Sequence, residues 1–245
     1  MIAALPMYDR PETAAAHDAL WALIRDGLRR RGLAAPDALD RATHHMEGWG
    51  RADLVLGQIC NLPYRALFRD RVTVVGAADY GLPGVEAGHY RSVIVARPGP
   101  LGERLAYNEA LSQSGWGAAL AWAEAEGRRL RPALRTGSHA ASLAAVAAGR
   151  ADLAAIDAVT WRMLGRWDPA AREVRVAGRS PASPGMTFVT RAGQDPEPVR
   201  AAVAEAIARL GAAERKVLGL RGLVVLPPAA YDLPLPPAPE AFGAL

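Results

Sequence analysis

Several things are scarce in this 245-residue chain. Cys60 is its only cysteine, which excludes an internal disulfide framework and a zinc ribbon. Lys216 is its only lysine, so nearly all of its 29 basic side chains are arginines, a habit that goes with the abundant alanine. No apolar run approaches the roughly 20 residues that span a bilayer. The start, Met1-Ile2-Ala3-Ala4-Leu5-Pro6, lacks the basic, apolar and small-residue blocks of a secretory signal. The G-x-S-x-G, P-loop and dinucleotide fingerprints are missing as well. Cys60 has no base beside it and reads as a buried side chain rather than a nucleophile. In His44-His45-Met46-Glu47 the adjacent histidines point to different faces, with no partner at ligand spacing, so no metal is expected.

What is present is an ordinary folding composition, 51% hydrophobic and 22% charged, which rules out disorder. The net charge is +4, and the basic residues are scattered. The densest runs, Arg29-Arg30-Arg31 and Arg128-Arg129-Leu130-Arg131, fall at helix ends, where they suit the negative end of the helix dipole. No nucleic-acid motif accompanies them, so no nucleic-acid partner is expected. A small anion makes better use of a mildly positive field.

The hydrophobic pattern alternates between strand and helix. Strands are expected over 2–6, 53–57, 71–76, 90–96, 104–108, 132–137, 152–157, 174–176 and 186–190. Helices are expected over 13–31, 114–126, 138–149, around Trp161, and over 196–210. Thr13 is placed to cap the first helix, and Gly32 to stop it. The proline-rich tail from Pro227 is expected to wrap the surface. Trp21, Trp116, Trp122 and Trp161 lie on helices and read as core. Such alternation predicts an α/β protein with mostly parallel sheets flanked by helices. Gly/Pro-rich stretches near 79–90 and 178–186 bracket a central block. The simplest reading is two lobes: lobe I from 1–96 plus 178–245, and lobe II from 97–177.

Four strand ends carry polar groups that could line a ligand site. Ser112-Gln113-Ser114-Gly115 follows a strand and opens a helix. There, unpaired N–H groups and the dipole favour negative charge, the serine hydroxyls add donors, and Gly115 lets an anion come close. The competing reading is that Ser112 or Ser114 is simply an N-cap. Thr136-Gly137-Ser138-His139 puts His139 in a first turn near the carboxyl edge of a sheet, where open α/β folds bind ligands. The alternative is a histidine exposed on a helix. Asp157 ends a strand at the same edge, or else caps the helix after it. Tyr8 and Asp9 end the first strand similarly.

These pieces also carry a likeness. They include Leu5-Pro6-Met7-Tyr8-Asp9, Asp53-Leu54-Val55-Leu56-Gly57-Gln58, and Tyr80-Gly81 through Gly88-His89-Tyr90-Arg91-Ser92-Val93. Ser112-Gln113-Ser114-Gly115 and Thr136-Gly137-Ser138-His139 follow, then Ala147-Ala148-Gly149-Arg150-Ala151-Asp152, and Ser180-Pro181 through Pro184-Gly185. In this order they resemble the phosphate/phosphite/phosphonate-type periplasmic substrate-binding proteins of ABC transporters. The resemblance implies a type II periplasmic-binding fold, with the ligand cleft at the hinge between two lobes that close on it. It implies that Ser112, Gln113 and Ser114 hold the phosphoryl oxygens and that His139 contacts the anion. Tyr90 would match a hinge tyrosine, and Tyr8 and Gln58 would line the other lobe. Asp157 completes the candidate set.

The function so implied is capture of phosphate, phosphite or a phosphonate for uptake. The partners are the small anion and a transporter permease; the protein is a monomer, not an enzyme, and uses no cofactor. Two departures qualify this. Val159 and Met186 stand where members holding an aminoalkyl phosphonate place acidic side chains, so an amino-bearing ligand is not expected. The implied address is periplasmic, yet no signal peptide opens this chain. The alternative is a cytoplasmic enzyme or sensor on the same scaffold, of the thiamine-pyrimidine-biosynthesis kind or an orphan ligand sensor. Cys60 with His139 is its only conceivable reactive pair.

Overall fold

A computed structural model describes residues 1–242. The chain divides into two compact units, and it crosses between them near residues 89, 184 and 232.

Unit 1 comprises residues 1–89 and 184–232. Its first stretch carries β1 (Ile2–Ala4), α1 (Ala14–Arg30), α2 (His45–Trp49), β2 (Leu54–Ile59), α3 (Asn61–Pro63) and β3 (Val72–Asp79). Its second carries β11 (Thr187–Arg191), α7 (Pro196–Arg209), α8 (Ala212–Leu218) and β12 (Gly222–Val224). The sheet order is β1-β2-β11-β3-β12. β1 and β2 pair in parallel, while β11 runs antiparallel to both β2 and β3. β1, β2 and β3 therefore point one way, with a returning strand inserted among them. All six residues of β2 are buried. Ile2, Trp49, Leu54, Ile59, Phe68, Val72 and Val189 form a core cluster.

Helical spacing buries Leu20, Trp21, Ile24 and Leu28 on α1. The helix ends in a Schellman turn, with the Leu33 amide on the Leu28 carbonyl at 3.0 Å. Gly32 there has φ 74°, a conformation that favours glycine. α1 meets α7 closely at Gly27, where a Cβ would sit 3.2 Å from that of Ala202. Arg30 and Arg31 pair with Glu205 of α7 at 2.8 and 3.1 Å. The expected Thr13 cap is not made. Thr13 Oγ1 instead donates to the Tyr8 carbonyl at 2.7 Å, pinning the segment that follows β1.

Unit 2 comprises residues 90–183 and the tail from Leu233. Short strands β4 (His89–Tyr90) and β10 (Ser183–Pro184) lie at two of the crossings. Within the unit follow β5 (Ser92–Ala96), β6 (Arg104–Tyr107), α4 (Ala118–Ala125), β7 (Arg131–Arg135), α5 (His139–Ala147), β8 (Leu153–Asp157), α6 (Ala158–Trp167) and β9 (Arg175–Arg179). The sheet order is β7-β6-β8-β5-β9. β6 is parallel to β7 and β8; β5 is antiparallel to β8 and β9. Four of these strands thus share a direction, with β5 inserted against it. Val93, Val95, Leu143, Val146, Ile156 and Leu164 belong to its core cluster.

The boundaries differ from those expected in three places, at residues 90–96, at 178–183, where the end of β9 keeps the chain in unit 2, and in the tail. β5 lies inside the unit 2 sheet, hydrogen-bonded on both sides, although it was expected in lobe I. The Gly/Pro-rich punctuation marks the crossing, and the strand after it belongs to the second unit. The tail was also expected in lobe I. From Leu233 it packs on unit 2, where Trp116 Nε1 donates to the Pro237 carbonyl at 2.9 Å and Phe242 stacks edge-on to Trp116 at 5.6 Å.

Candidate functional site

In unit 2, β6 and β7 lie side by side in the same direction, and each leads into a helix. Parallel neighbours deliver the helix starts to one edge of the sheet. The first start is a widened π-helical turn, Gln113–Gly117, that runs into α4. The Ser112 carbonyl takes both the Trp116 and Gly117 amides at 3.0 Å, which is what widens it. Ser112 Oγ accepts from the Gly115 amide at 2.9 Å, so Ser112 is the N-cap. Ser114 does something else. Its Oγ lies 2.8 Å from His139 Nε2, in the first turn of α5. Ser138, not His139, caps that helix, accepting from Ala141 N at 3.1 Å. Ser112 and Ser114 hydroxyls are 3.5 Å apart, so one polar cluster joins the two helix starts.

The cluster is tied to the sheet. Ser92 Oγ donates to the Ser114 carbonyl at 2.8 Å, and the Ser92 amide donates to Ser180 Oγ at 2.9 Å. Ser114 is 3% exposed. Its amide has no protein partner among the described residues. Burial pulls the His139 imidazole down to about 4, partly offset by the Ala155 carbonyl facing the ring. His139 is therefore neutral at neutral pH. An anion beside it would favour the charged ring and draw in a proton.

Two expectations need correction. The amides of 112–115 are not all open, because Ser112 N donates to the Glu109 carbonyl and Gly115 N is capped. Gly115 is also not an open approach for an anion. A Cβ there would overlap Asn108 Oδ1, so the glycine makes room for that carboxamide. Asn108 Oδ1 is buried without a hydrogen-bond partner among the described residues.

Asp157 follows the capping reading. It is 1% exposed, and its Oδ1 accepts from Val159 N at 2.7 Å and Thr160 N at 3.0 Å, starting α6. Val159 and Met186 are buried. Tyr90 is buried at the first position of unit 2.

In unit 1, Tyr8 and Gln58 come together at the carboxyl ends of β1 and β2. Gln58 Nε2 donates to the Tyr80 hydroxyl at 3.2 Å, and Tyr80 meets Tyr8 edge to face at 5.0 Å. Trp49 Nε1 holds the Gln58 carbonyl at 2.8 Å. Tyr80 had appeared only within the family likeness; its place just after β3 is the signal that marks it. Asn61, just beyond β2, gave no signal at all. It is 1% exposed, and neither its Oδ1 nor its Nδ2 has a partner among the described residues. Cys60 is buried next to it in unit 1, whereas His139 belongs to unit 2.

No curated protein sequence matches the chain. Among solved structures, XAC2383 from Xanthomonas citri bound to ATP superposes with TM-score 0.69 at 16% identity, over 94% of this chain and 92% of that one. PhnD1 from Prochlorococcus marinus in complex with methylphosphonate gives 0.67 at 14% identity, over 94% of each chain. A binding protein component of an ABC phosphonate transporter from Pseudomonas aeruginosa gives 0.63 at 16%, over 94% of this chain and 82% of that one. At such identities these matches establish the two-lobed periplasmic-binding-protein fold. The family described as "ABC transporter, phosphonate, periplasmic substrate-binding protein" matches residues 2–231. With that match across nearly its whole length, the chain belongs to this family of solute-binding proteins.

Proposed function

We propose that the protein binds a small phosphorus oxyanion, an alkyl phosphonate or phosphite before phosphate, without transforming it, and presents it to a transporter permease. The Ser112–Ser114 turn and His139 would hold the phosphoryl oxygens, and Tyr8, Gln58 and Tyr90 would be the remaining contacts. The observation that carries this is the 2.8 Å contact between Ser114 Oγ and His139 Nε2, which brings two helix starts to one point. Each start favours negative charge, and the neighbouring Ser114 amide is available to donate. Methylphosphonate is the ligand of the Prochlorococcus relative, which supports trying it first. Asp157 is reserved for its helix and is not proposed as a contact.

The test is calorimetry over methylphosphonate, phosphite, phosphate, methylsulfonate and aminoethylphosphonate. The reading expects binding of at least one phosphorus oxyanion, with aminoethylphosphonate weaker than methylphosphonate. No heat from any phosphorus oxyanion, or turnover of a bound compound seen by mass spectrometry, would overturn it.

A further inference from the structure

Unit 1 holds a small, partly open cavity of about 10 Å³, room for a single water-sized group. Leu5, Leu20, Leu218 and Leu220 make its apolar wall; Tyr8, His17, Gln58 and Tyr80 make its polar one. No carboxylate lines it. Two of the polar residues have hydrogen-bonding capacity left over. Gln58 is 2% exposed, and its Nε2 is used on the Tyr80 hydroxyl, while its Oε1 is buried without a partner among the described residues. Whichever way the carboxamide is turned, one of its polar atoms lacks a protein partner. His17 is 4% exposed, with Nδ1 3.1 Å from the Thr13 carbonyl. A carbonyl only accepts, so Nδ1 carries the proton and Nε2 presents a lone pair, with no protein partner among the described residues. Burial holds His17 below its ordinary pKa, against the pull of Asp9 at 3.8 Å, which agrees with a neutral ring.

An apolar occupant would leave the His17 Nε2 lone pair and the spare carboxamide atom unmet, and an anion would be repelled by that lone pair. A hydroxyl satisfies both: it donates to His17 Nε2, and its oxygen or, in water, its second hydrogen meets whichever carboxamide atom is turned to it. We infer that this cavity is a hydroxyl site, held by His17 Nε2 and the Gln58 carboxamide, that takes one water molecule or the terminal hydroxyl of a ligand in its place. The second source rests on the phosphonate reading, since Gln58 and Tyr8 belong to the candidate ligand set.

The test is crystallography of the unliganded protein and of its complexes with methylphosphonate and hydroxymethylphosphonate, with calorimetry of both ligands. The site predicts one oxygen within hydrogen-bond distance of His17 Nε2 and the Gln58 side chain. Water there in both complexes, with equal affinities, assigns the site to water. A ligand hydroxyl there, with affinity about tenfold above methylphosphonate and the advantage lost in His17→Leu, assigns it to the ligand. A cavity without oxygen density in every crystal, or one filled by an ion, overturns the inference. If neither phosphonate binds, the phosphonate reading fails, and the unliganded crystal still decides this one. Should His17→Leu not fold, the wild-type crystals and titrations suffice.

Discussion

Acid should weaken the fold through His139, by an amount the structure sets. The folded ring titrates at about 4 because of burial, against an ordinary value of 6.5. The folded state then binds fewer protons than the unfolded chain between those values, so stability falls as pH drops from about 6.5 to about 4 and levels off below. For one group the loss is about 2 kcal/mol at pH 5 and about 3 kcal/mol at the plateau. These are upper figures, since the residue as a whole is only partly buried. His17 is also lowered by burial and adds a slope of the same sign, so the wild type alone cannot isolate His139. His139→Gln keeps a hydrogen-bonding group beside Ser114 and removes the titration. Urea unfolding followed by tryptophan fluorescence from pH 4 to 7.5 should show the wild type losing about 1–2 kcal/mol more than the variant between pH 7 and pH 5. Parallel profiles would refute the buried, neutral imidazole. Saturating oxyanion should reverse part of the effect by favouring the charged ring, seen as proton uptake in buffers of different ionisation enthalpy.

Other outcomes follow from the same contacts. Ser114→Ala should weaken methylphosphonate binding by about 10- to 100-fold, since hydrogen bonds to charged groups are worth about 1.5–3 kcal/mol; unchanged calorimetric affinity would count against the cradle. Gly115→Ala should cost about 1–3 kcal/mol by displacing the Asn108 carboxamide, and less in an Asn108→Ala background. Asn61→Leu should be neutral or stabilising by about 1 kcal/mol if the side chain has no partner, because it removes unmet buried polar atoms. A destabilised variant, by thermal melt, would show that Asn61 is satisfied by water or ligand.

The fold was legible where patterns are long. α1 and α7 each carry several apolar residues at helical spacing, and β2 and β8 open on short apolar runs before Gln58 and Asp157. α8 and β12, with seven and three residues, are too short for any period to register. Strand direction was only partly legible. That β11 and β5 would insert against their neighbours depends on chain crossings that no local pattern encodes. In the candidate site, serines, glycine and histidine at strand ends could be read directly, because strand-to-helix turns carry a composition. Which serine caps and which meets His139 could not, since both turn residues look alike until a helix 25 residues later is placed beside them. The role of Gly115 was misjudged for a similar reason: the group it accommodates, Asn108, lies on the preceding loop.

The central claim is that the oxyanion sits where the Ser114 amide and hydroxyl meet His139. A crystal structure with methylphosphonate tests it most directly. The account expects a phosphonate oxygen hydrogen-bonded to the Ser114 amide, with another reaching the Ser114 hydroxyl or His139 Nε2. Methylphosphonate bound elsewhere, with the Ser114–His139 contact intact and the amide untouched, would contradict it.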